Sequence, residues 1–380
     1  MERAQGRSAD VVVIGGGIVG TAAAAFLAGA GARVILVERE GLASAASGAN
    51  SGVVQLPFDL ILAGLYRKTL ELYRELSRMS TTFSLSAEPT GMLFVSESEE
   101  AARHQAAGVS ADFPELRVEV AGGAALRELD PALAPDLWAC RVDIGYPVMP
   151  GASTYAYASL AEELGATIRQ GRAAQLSRSG DRVSGVIVNG QLLPADAVLV
   201  AAGPWTPAVI DPSGRWAPIR ALWGAVVEIE LADPPRHVLE QAGIEASIGT
   251  DAGEHGPRDH FLSLVPMPGV SVVGSTFLDE EPDPRAWQEP ILRLAARFVP
   301  GVVDAPIRGL RACPRPLSLD GRPVIGAVPG IRNLYVCAGH GPWGISTGPA
   351  SARLVADVIL GRAPAIPREL APDRFGRLSD

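Results

Sequence analysis

The chain has 380 residues, 47% of them hydrophobic and 20% charged, with a formal net charge of −9. That length holds two domains with cores of their own, and an acidic balance without any basic run excludes nucleic acid or an anionic membrane as the main partner. Cys140, Cys313 and Cys337 are too widely spaced for a zinc site and too few for a disulfide scaffold, so a reducing compartment is expected. Met1–Asp10 is short, polar and runs straight into the first strand, so the expected location is the cytoplasm, with no signal peptide. Lys68 is the only lysine.

Val11–Ile14 reads as a buried strand, Gly15, Gly17 and Gly20 as a G-x-G-x-x-G turn, Ile18–Ala30 as a helix and Arg33–Val37 as a second strand closed by Glu38. Together these form a dinucleotide-binding unit. Gly15 permits the turn, Gly17 lets backbone approach a pyrophosphate, and Gly20 lets the helix pack on the sheet. The amides at the helix start, Ile18 and Val19 among them, and the positive end of the helix dipole hold the pyrophosphate. Glu38 lies where a carboxylate accepts hydrogen bonds from ribose hydroxyls; an acid there disfavours a 2′-phosphate, so FAD or NAD fits better than NADP. Val11–Val37 is apolar enough to mimic a membrane span, but its glycine turn and Arg33 argue for the nucleotide unit.

Further along, Gly41–Gly52 reads as a loop and Phe58–Met79 as a long helix with apolar residues at helical spacing, including Leu62, Tyr66, Leu70 and Tyr73. Gly91–Val95 is a predicted strand, Glu99–Ala107 a helix, and Leu116–Val120 and Leu137–Val142 are strands of a first excursion into a second domain. The spacing then predicts a helix over Ser153–Leu164, a strand over Ala166–Arg169, and short antiparallel strands at Ala173–Ser177, Arg182–Val188 and Gln191–Leu193. Ala195–Gly203 is a buried strand returning to the first sheet. Ile219–Leu231, His260–Val265 and Val270–Thr276 are strands and Arg285–Phe298 a helix of a second excursion; Asn333–Val336 is a strand and Gly344–Leu360 the last helix.

Four separated motifs resemble the D-amino acid oxidase superfamily of flavoenzymes, which includes glycine oxidase, sarcosine oxidase and D-amino acid dehydrogenase. They are the opening unit with Glu38, the Ser/Gly-rich run Ala43–Gly52, the strand Ala195–Gly203 with Pro204-Trp205, and Arg315-Pro316-Leu317-Ser318-Leu319-Asp320-Gly321-Arg322-Pro323 followed by Ala338-Gly339-His340-Gly341-Pro342-Trp343-Gly344-Ile345-Ser346-Thr347. The resemblance implies FAD. It implies an α/β chain with a Rossmann-type FAD-binding domain (1–85, 145–218 and 310–380) and an α+β, largely antiparallel substrate domain (86–144 and 219–309). Its implied cofactor contacts beyond the first turn are Arg39, Ser44, Ser47, Gly48, Asn50, Ser51, Gly52, Ala173, Ala174, Ala202, Gly203, Trp205, Gly339, Gly341, Gly344, Ile345, Ser346 and Thr347. A helix start aimed at the flavin N1/C2 carbonyl stabilises negative charge on the reduced ring.

The resemblance also implies oxidation of an amine Cα–H and C–N bond to an imine, which water hydrolyses. The expected substrate is a D-amino acid, glycine or an N-methylated amino acid; the alternatives are another amine or a polyol-phosphate dehydrogenase of the same superfamily, and a noncatalytic flavin-binding subunit. An arginine fork matches a substrate carboxylate, and Arg315 lines up with the carboxylate-binding arginine of glycine oxidase, with Arg311 as its competitor. His340 is expected to be structural or to touch the flavin, and Trp343 to lie beside it; Trp223, Tyr66 and Phe261 are further wall candidates. Cys313 has a spacing similar to that of the cysteine carrying covalent flavin in monomeric sarcosine oxidases, but Pro314-Arg315 replaces the sequence that follows it there. Noncovalent FAD is therefore expected, with a Cys313 thioether as the alternative. Those oxidases also place a lysine near the flavin to activate oxygen, and Val270–Gly274 has none, so oxygen and a quinone or carrier both stand as acceptors; an oligomer is compatible with all of this.

Overall fold

The computed structural model describes residues 9–244, 260–362 and 366–377. Most of Met1–Asp10 therefore lies outside the described residues. Two eight-stranded sheets organise the rest. In the first, the order is Val324–Ala327, Leu334–Ala338, Gln191–Val200, Ala9–Ile14, Val34–Val37 and Thr167–Arg169, parallel except for the antiparallel Val324–Ala327 edge. The strand period of two sorts its side chains. Val11 and Val13 pack with Ala22, Ala23 and Leu27 of the helix Ile18–Gly29, whereas Val12 and Ile14 pack with Val183 and Val186 of the hairpin formed by Ala174–Ser179 and Arg182–Val188.

Gln191–Leu193 and Ala195–Gly203, expected as two strands, are one, Gln191–Val200. It pairs antiparallel with Arg182–Val188 at its start and parallel with Ala9–Ile14 at its end. Pro194 sits at the changeover opposite Gly185, whose φ of 146° and close approach to the Leu193 carbonyl admit no side chain. Within the expected loop 41–52, Ala46–Ala49 is one short helical turn.

The second sheet runs Ile307–Ser318, Ile219–Ile229, Val270–Thr276, His260–Met267, Val238–Gln241, Met92–Ser96, Trp138–Val142 and Val118–Gly122. Every neighbouring pair is antiparallel except Val238–Gln241 with Met92–Ser96. Its outer face, with Ala225, Val227, Leu239, Leu262 and Leu264, packs on Ile291, Ala295 and Phe298 of the helix Pro284–Phe298. Its inner face, with Val226, Val238, Val265 and Val272, joins the main core alongside Tyr66, Leu70 and Tyr73 of the helix Leu60–Met79.

Ile307–Ser318 was not anticipated as a strand, and residues 310–318 were grouped with the FAD-binding segments; they run instead as the edge of the second sheet. The sequence IRGLRACPRPLS carries two prolines and three arginines, which hide a strand from any propensity argument. An edge tolerates them, because a proline facing away from the neighbouring strand forfeits no ladder hydrogen bond. The helix Gly123–Leu129 and the strand Val238–Gln241 were likewise not anticipated.

Candidate active site

One cleft runs from the carboxyl ends of Ala9–Ile14 and Gln191–Val200 to the inner face of the second sheet, the position where open parallel sheets bind ligands. At its nucleotide end the three glycines have different duties. A Cβ on Gly15, whose φ is 115°, would lie 2.3 Å from the Ala201 carbonyl oxygen, and one on Gly20 would lie 2.0 Å from that of Gly15. Gly20 is thus a packing residue behind the cleft. A Cβ on Gly17 would meet only Ser47 and would otherwise project into the cleft. The Ile18 amide donates to Ser47 Oγ (2.9 Å), and the Gly16 and Glu40 amides donate to the two Glu38 oxygens (2.6 and 2.8 Å). Glu38 is thereby fixed at the strand end, facing the cleft with Val19. The Arg39 guanidinium lies 4.8 Å above the Trp205 ring, and Ala173, Ala174, Ala202 and Gly203 complete that end.

Ser44, Ser47, Asn50 and Ser51 line the middle of the cleft. Gly48 and Gly52 stand behind them, where side chains would strike the carbonyls of Ala43 (2.2 Å) and Val148 (2.6 Å). The Asn50 side chain closes the turn by donating to the Ala46 and Ser47 carbonyls and accepting from the Gly52 amide. Arg311 holds this wall from the edge of the second sheet: Nε donates to the Ala49 carbonyl (3.2 Å), Nη2 to that of Asn50 (2.9 Å), and Nη1 pairs with Glu228. Its fork is committed to protein groups, and it does not line the cleft.

Arg311, Cys313 and Arg315 alternate onto one face of Ile307–Ser318. Arg315 reaches the cleft past Gly224, where a Cβ would lie 2.3 Å from its Nη2. Nη1 donates to the Thr276 carbonyl (2.8 Å), Nη2 to Ser275 Oγ, and the guanidinium lies 5.0 Å from the Phe277 ring centroid. No ion pair with a described carboxylate engages it, and burial pulls its pKa below the ordinary guanidinium value. A guanidinium shielded from water without a carboxylate is costly unless an anion joins it. Cys313 also lines the cleft; burial raises its thiol pKa, which disfavours the thiolate.

His340 is buried, its Nε2 has no partner among the described residues, and burial lowers its pKa to about 4, so the ring is neutral. The Trp343 amide donates to the His340 carbonyl (3.0 Å) and the Thr347 hydroxyl to that of Trp343 (2.8 Å), which sets the start of the helix Gly344–Ile359. Gly341, Trp343, Gly344, Ile345 and Ser346 face the cleft; Thr347 and Gly339 stand behind it, the latter as the φ 86° turn out of the strand Leu334–Ala338. Bare glycine backbone at one end and, at the other, a helix start beside an imidazole nitrogen with no partner among the described residues fit a long cofactor with a pyrophosphate and a polar ring, as FAD has.

Of the other wall candidates, Trp223 is on the face opposite Gly224 and Val226, Tyr66 is in the core, and Phe261 meets Phe277 edge-on at 6.0 Å rather than the cleft. Phe277 itself lines the cleft. So do Gln55, Glu240, Ser263 and Ser275, none of which stood out in the sequence, because no motif surrounds them and only strand pairing brings them together.

The model of the DAO family, "FAD dependent oxidoreductase", matches residues 10–358. Among curated proteins the chain is 29% identical to a glycine oxidase of Pseudomonas aeruginosa over 98% of this chain and 100% of that one. It is also 29% identical to a D-amino acid dehydrogenase of Methylobacterium radiotolerans over 94% and 97%. Among solved structures it is similar to iminodiacetate oxidase from Chelativorans sp. BNC1, with a TM-score of 0.82, 25% identity and coverage of 95% and 98%.

Proposed function

Because this chain belongs to the DAO family of FAD-dependent oxidoreductases, we propose that it oxidises the C–N bond of an amino acid, with Arg315 holding the substrate carboxylate. The observation that carries this reading is Arg315 itself, a shielded guanidinium in the cleft with only neutral described partners. A bidentate carboxylate supplies the missing charge. The names of the relatives, glycine oxidase, D-amino acid dehydrogenase and iminodiacetate oxidase, support an amine substrate of this kind.

FAD, when bound, supplies the two-electron acceptor for the amine Cα–H. The residues around it have separable tasks. The Gly17–Val19 backbone would hold the pyrophosphate, Glu38 the ribose hydroxyls, and the start of Gly344–Ile359 the pyrimidine edge. Arg315 orients the substrate so that its Cα–H faces the ring, and neutral His340 and Trp343 exclude water from that end. The product imine hydrolyses to a keto acid or aldehyde and an amine. We assign noncovalent flavin, because burial raises the Cys313 thiol pKa and so disfavours the reactive thiolate. Acid precipitation checks this: the flavin is expected in the supernatant, and a yellow pellet with flavin mass on the Cys313 peptide would reverse the assignment.

Anaerobic mixing of the flavoprotein with a panel of amino acids tests the activity. Bleaching of the flavin by at least one of them is expected. A flavin that no amino acid or amine reduces would make the chain a noncatalytic flavin-binding subunit instead.

A further inference from the structure

Arg315 does not hold its place in the cleft alone. It stands opposite Leu222 on the neighbouring strand, and from there its side chain crosses the inner face of Ile219–Ile229 to reach Ser275 and Thr276 on the strand beyond. Gly224 makes that crossing possible. A Cβ there would lie 2.3 Å from Nη2 and 2.5 Å from both Cζ and Nη1; three nearly equal distances put the flat face of the guanidinium against bare backbone. At the far end Nη1 donates to the Thr276 carbonyl (2.8 Å) and Nη2 to Ser275 Oγ. These bonds take two of the five guanidinium donors. Both acceptors are neutral, so they fix the fork without cancelling the charge that a substrate carboxylate needs.

Ser275 reaches the cleft through an irregularity in its strand. Val273 belongs to the outer cluster under the helix Pro284–Phe298, so in a regular strand Ser275, two residues on, would face outward as well. The register shifts in between: Val227 pairs with Val273 and Trp223 with Leu278, so four steps on one side match five on the other. The extra residue is a β-bulge within 274–277, of the kind that re-aims a side chain. Ser275 consequently lines the cleft, 7% exposed, while the Ala225 amide donates to Thr276 Oγ1 (2.7 Å).

We propose that Ser275 is a positioning residue for the oxidation: its hydroxyl, with the slot at Gly224, fixes the Arg315 guanidinium in the orientation that receives the substrate carboxylate. This rests on the carboxylate role of Arg315 given above and adds to it the group through which that role is set. An arginine side chain has many rotamers to lose, and a fork already bonded on one side loses fewer of them when a carboxylate arrives. Ser275 acts on the substrate through Arg315, so its removal matters only while Arg315 is present.

The holoenzyme tests this with propionate, a carboxylate without an amine to oxidise, titrated against flavin absorbance. Ser275→Ala is expected to weaken propionate binding about tenfold, the order of one hydrogen bond to a charged group, with flavin content unchanged. A double-mutant cycle in kcat/KM, for the amino acid that reduces the flavin fastest, separates positioning from mere structure. Ser275→Ala should lower kcat/KM in the wild type and change it by less than about twofold in Arg315→Ala. Propionate binding unchanged in Ser275→Ala, or equal losses of kcat/KM in the two backgrounds, overturns the inference while leaving the role of Arg315 intact. Propionate binding unchanged in Arg315→Ala overturns both. If Ser275→Ala retains no flavin, Gly224→Ala decides. Its Cβ meets only the end of a flexible side chain, so the holoenzyme should form and bind propionate at least about tenfold more weakly; unchanged binding there overturns the inference.

Discussion

At the residue scale, Arg315 and Arg311 share a strand face but differ in what surrounds them. Arg311 is saturated by Glu228 and the carbonyls of Ala49 and Asn50, whereas among the described residues Arg315 meets the Thr276 carbonyl, Ser275 and the Phe277 ring and no carboxylate. Arg315→Ala is therefore expected to lower kcat/KM by about 2–5 kcal/mol in transition-state terms with flavin content unchanged. Arg315→Lys should restore little of it, because an ammonium lacks the fork. Arg311→Ala should act mainly on flavin retention. Steady-state kinetics beside flavin-to-protein ratios separate the two, and loss of activity confined to Arg311→Ala would exchange their roles. His340 makes a pH prediction. Its folded pKa, about 4, lies below the ordinary 6.5, so the unfolded chain takes up the proton first. Its stabilising effect is complete above pH 6.5 and is lost as pH falls through about 4, a change of roughly 3 kcal/mol. Urea unfolding of wild type and His340→Gln across pH 7 to 4 checks this, since the variant should lose less stability on acidification.

At the element scale, the turn between Ala9–Ile14 and Ile18–Gly29 divides packing from binding. Gly17 has an extended backbone with φ −81° that any residue adopts, and its absent side chain faces the cleft. Gly20 presses on the Gly15 carbonyl. Gly17→Val should give a folded protein without flavin, while Gly20→Val should cost about 1–3 kcal/mol or more through overpacking. Melting curves of the two apoproteins and their flavin absorbance tell them apart; full flavin in Gly17→Val would move the pyrophosphate away from this turn. The turn was legible because glycine spacing, helix start and acid are local in sequence. The edge strand Ile307–Ser318 was not. Its prolines and arginines are tolerated because no strand among the described residues pairs with its far side, and that is a fact about neighbours rather than about the segment.

At the scale of the whole molecule, the electron acceptor depends on which charges the fold brings to the flavin end. The chain's only lysine, Lys68, is exposed on Leu60–Met79 and bound to Glu71 (2.7 Å), outside the cleft. A fixed cation near the ring lowers the barrier for oxygen reduction by preorganised electrostatics; burial holds the His340 pKa at about 4, and among the described residues Arg315 is the cation lining the cleft beside it. Reoxidation by air is therefore expected to be slow once the substrate carboxylate neutralises Arg315, and a quinone or artificial acceptor should support faster turnover. Stopped-flow mixing of reduced enzyme with oxygen, with and without a bound carboxylate, reads this directly. Rapid reoxidation unaffected by the carboxylate would point to a different cation. Among the described residues no helix is long and apolar enough to cross a membrane.

The sequence by itself determined that Gly15, Gly17, Glu38, Ser47 and the start of Gly344–Ile359 would be cleft candidates, and all of them line it, because each sits within a motif whose spacing carries its own geometry. It also brought Arg315 and His340 forward as candidates. Only the tertiary structure distinguishes Arg315 from Arg311, since both point the same way from one strand and differ in what surrounds them: Ala49, Asn50 and Glu228 hold Arg311, whereas Ser275 and Thr276 of Val270–Thr276 meet Arg315. The same holds for Gln55, Glu240, Ser263 and Phe277, which come from separate strands and meet through sheet register. Period and composition place a residue on a face of its own element; which faces meet is set by burial of the whole chain, and the part of the cleft lined by Gln55, Glu240, Ser263 and Phe277 is made of such meetings.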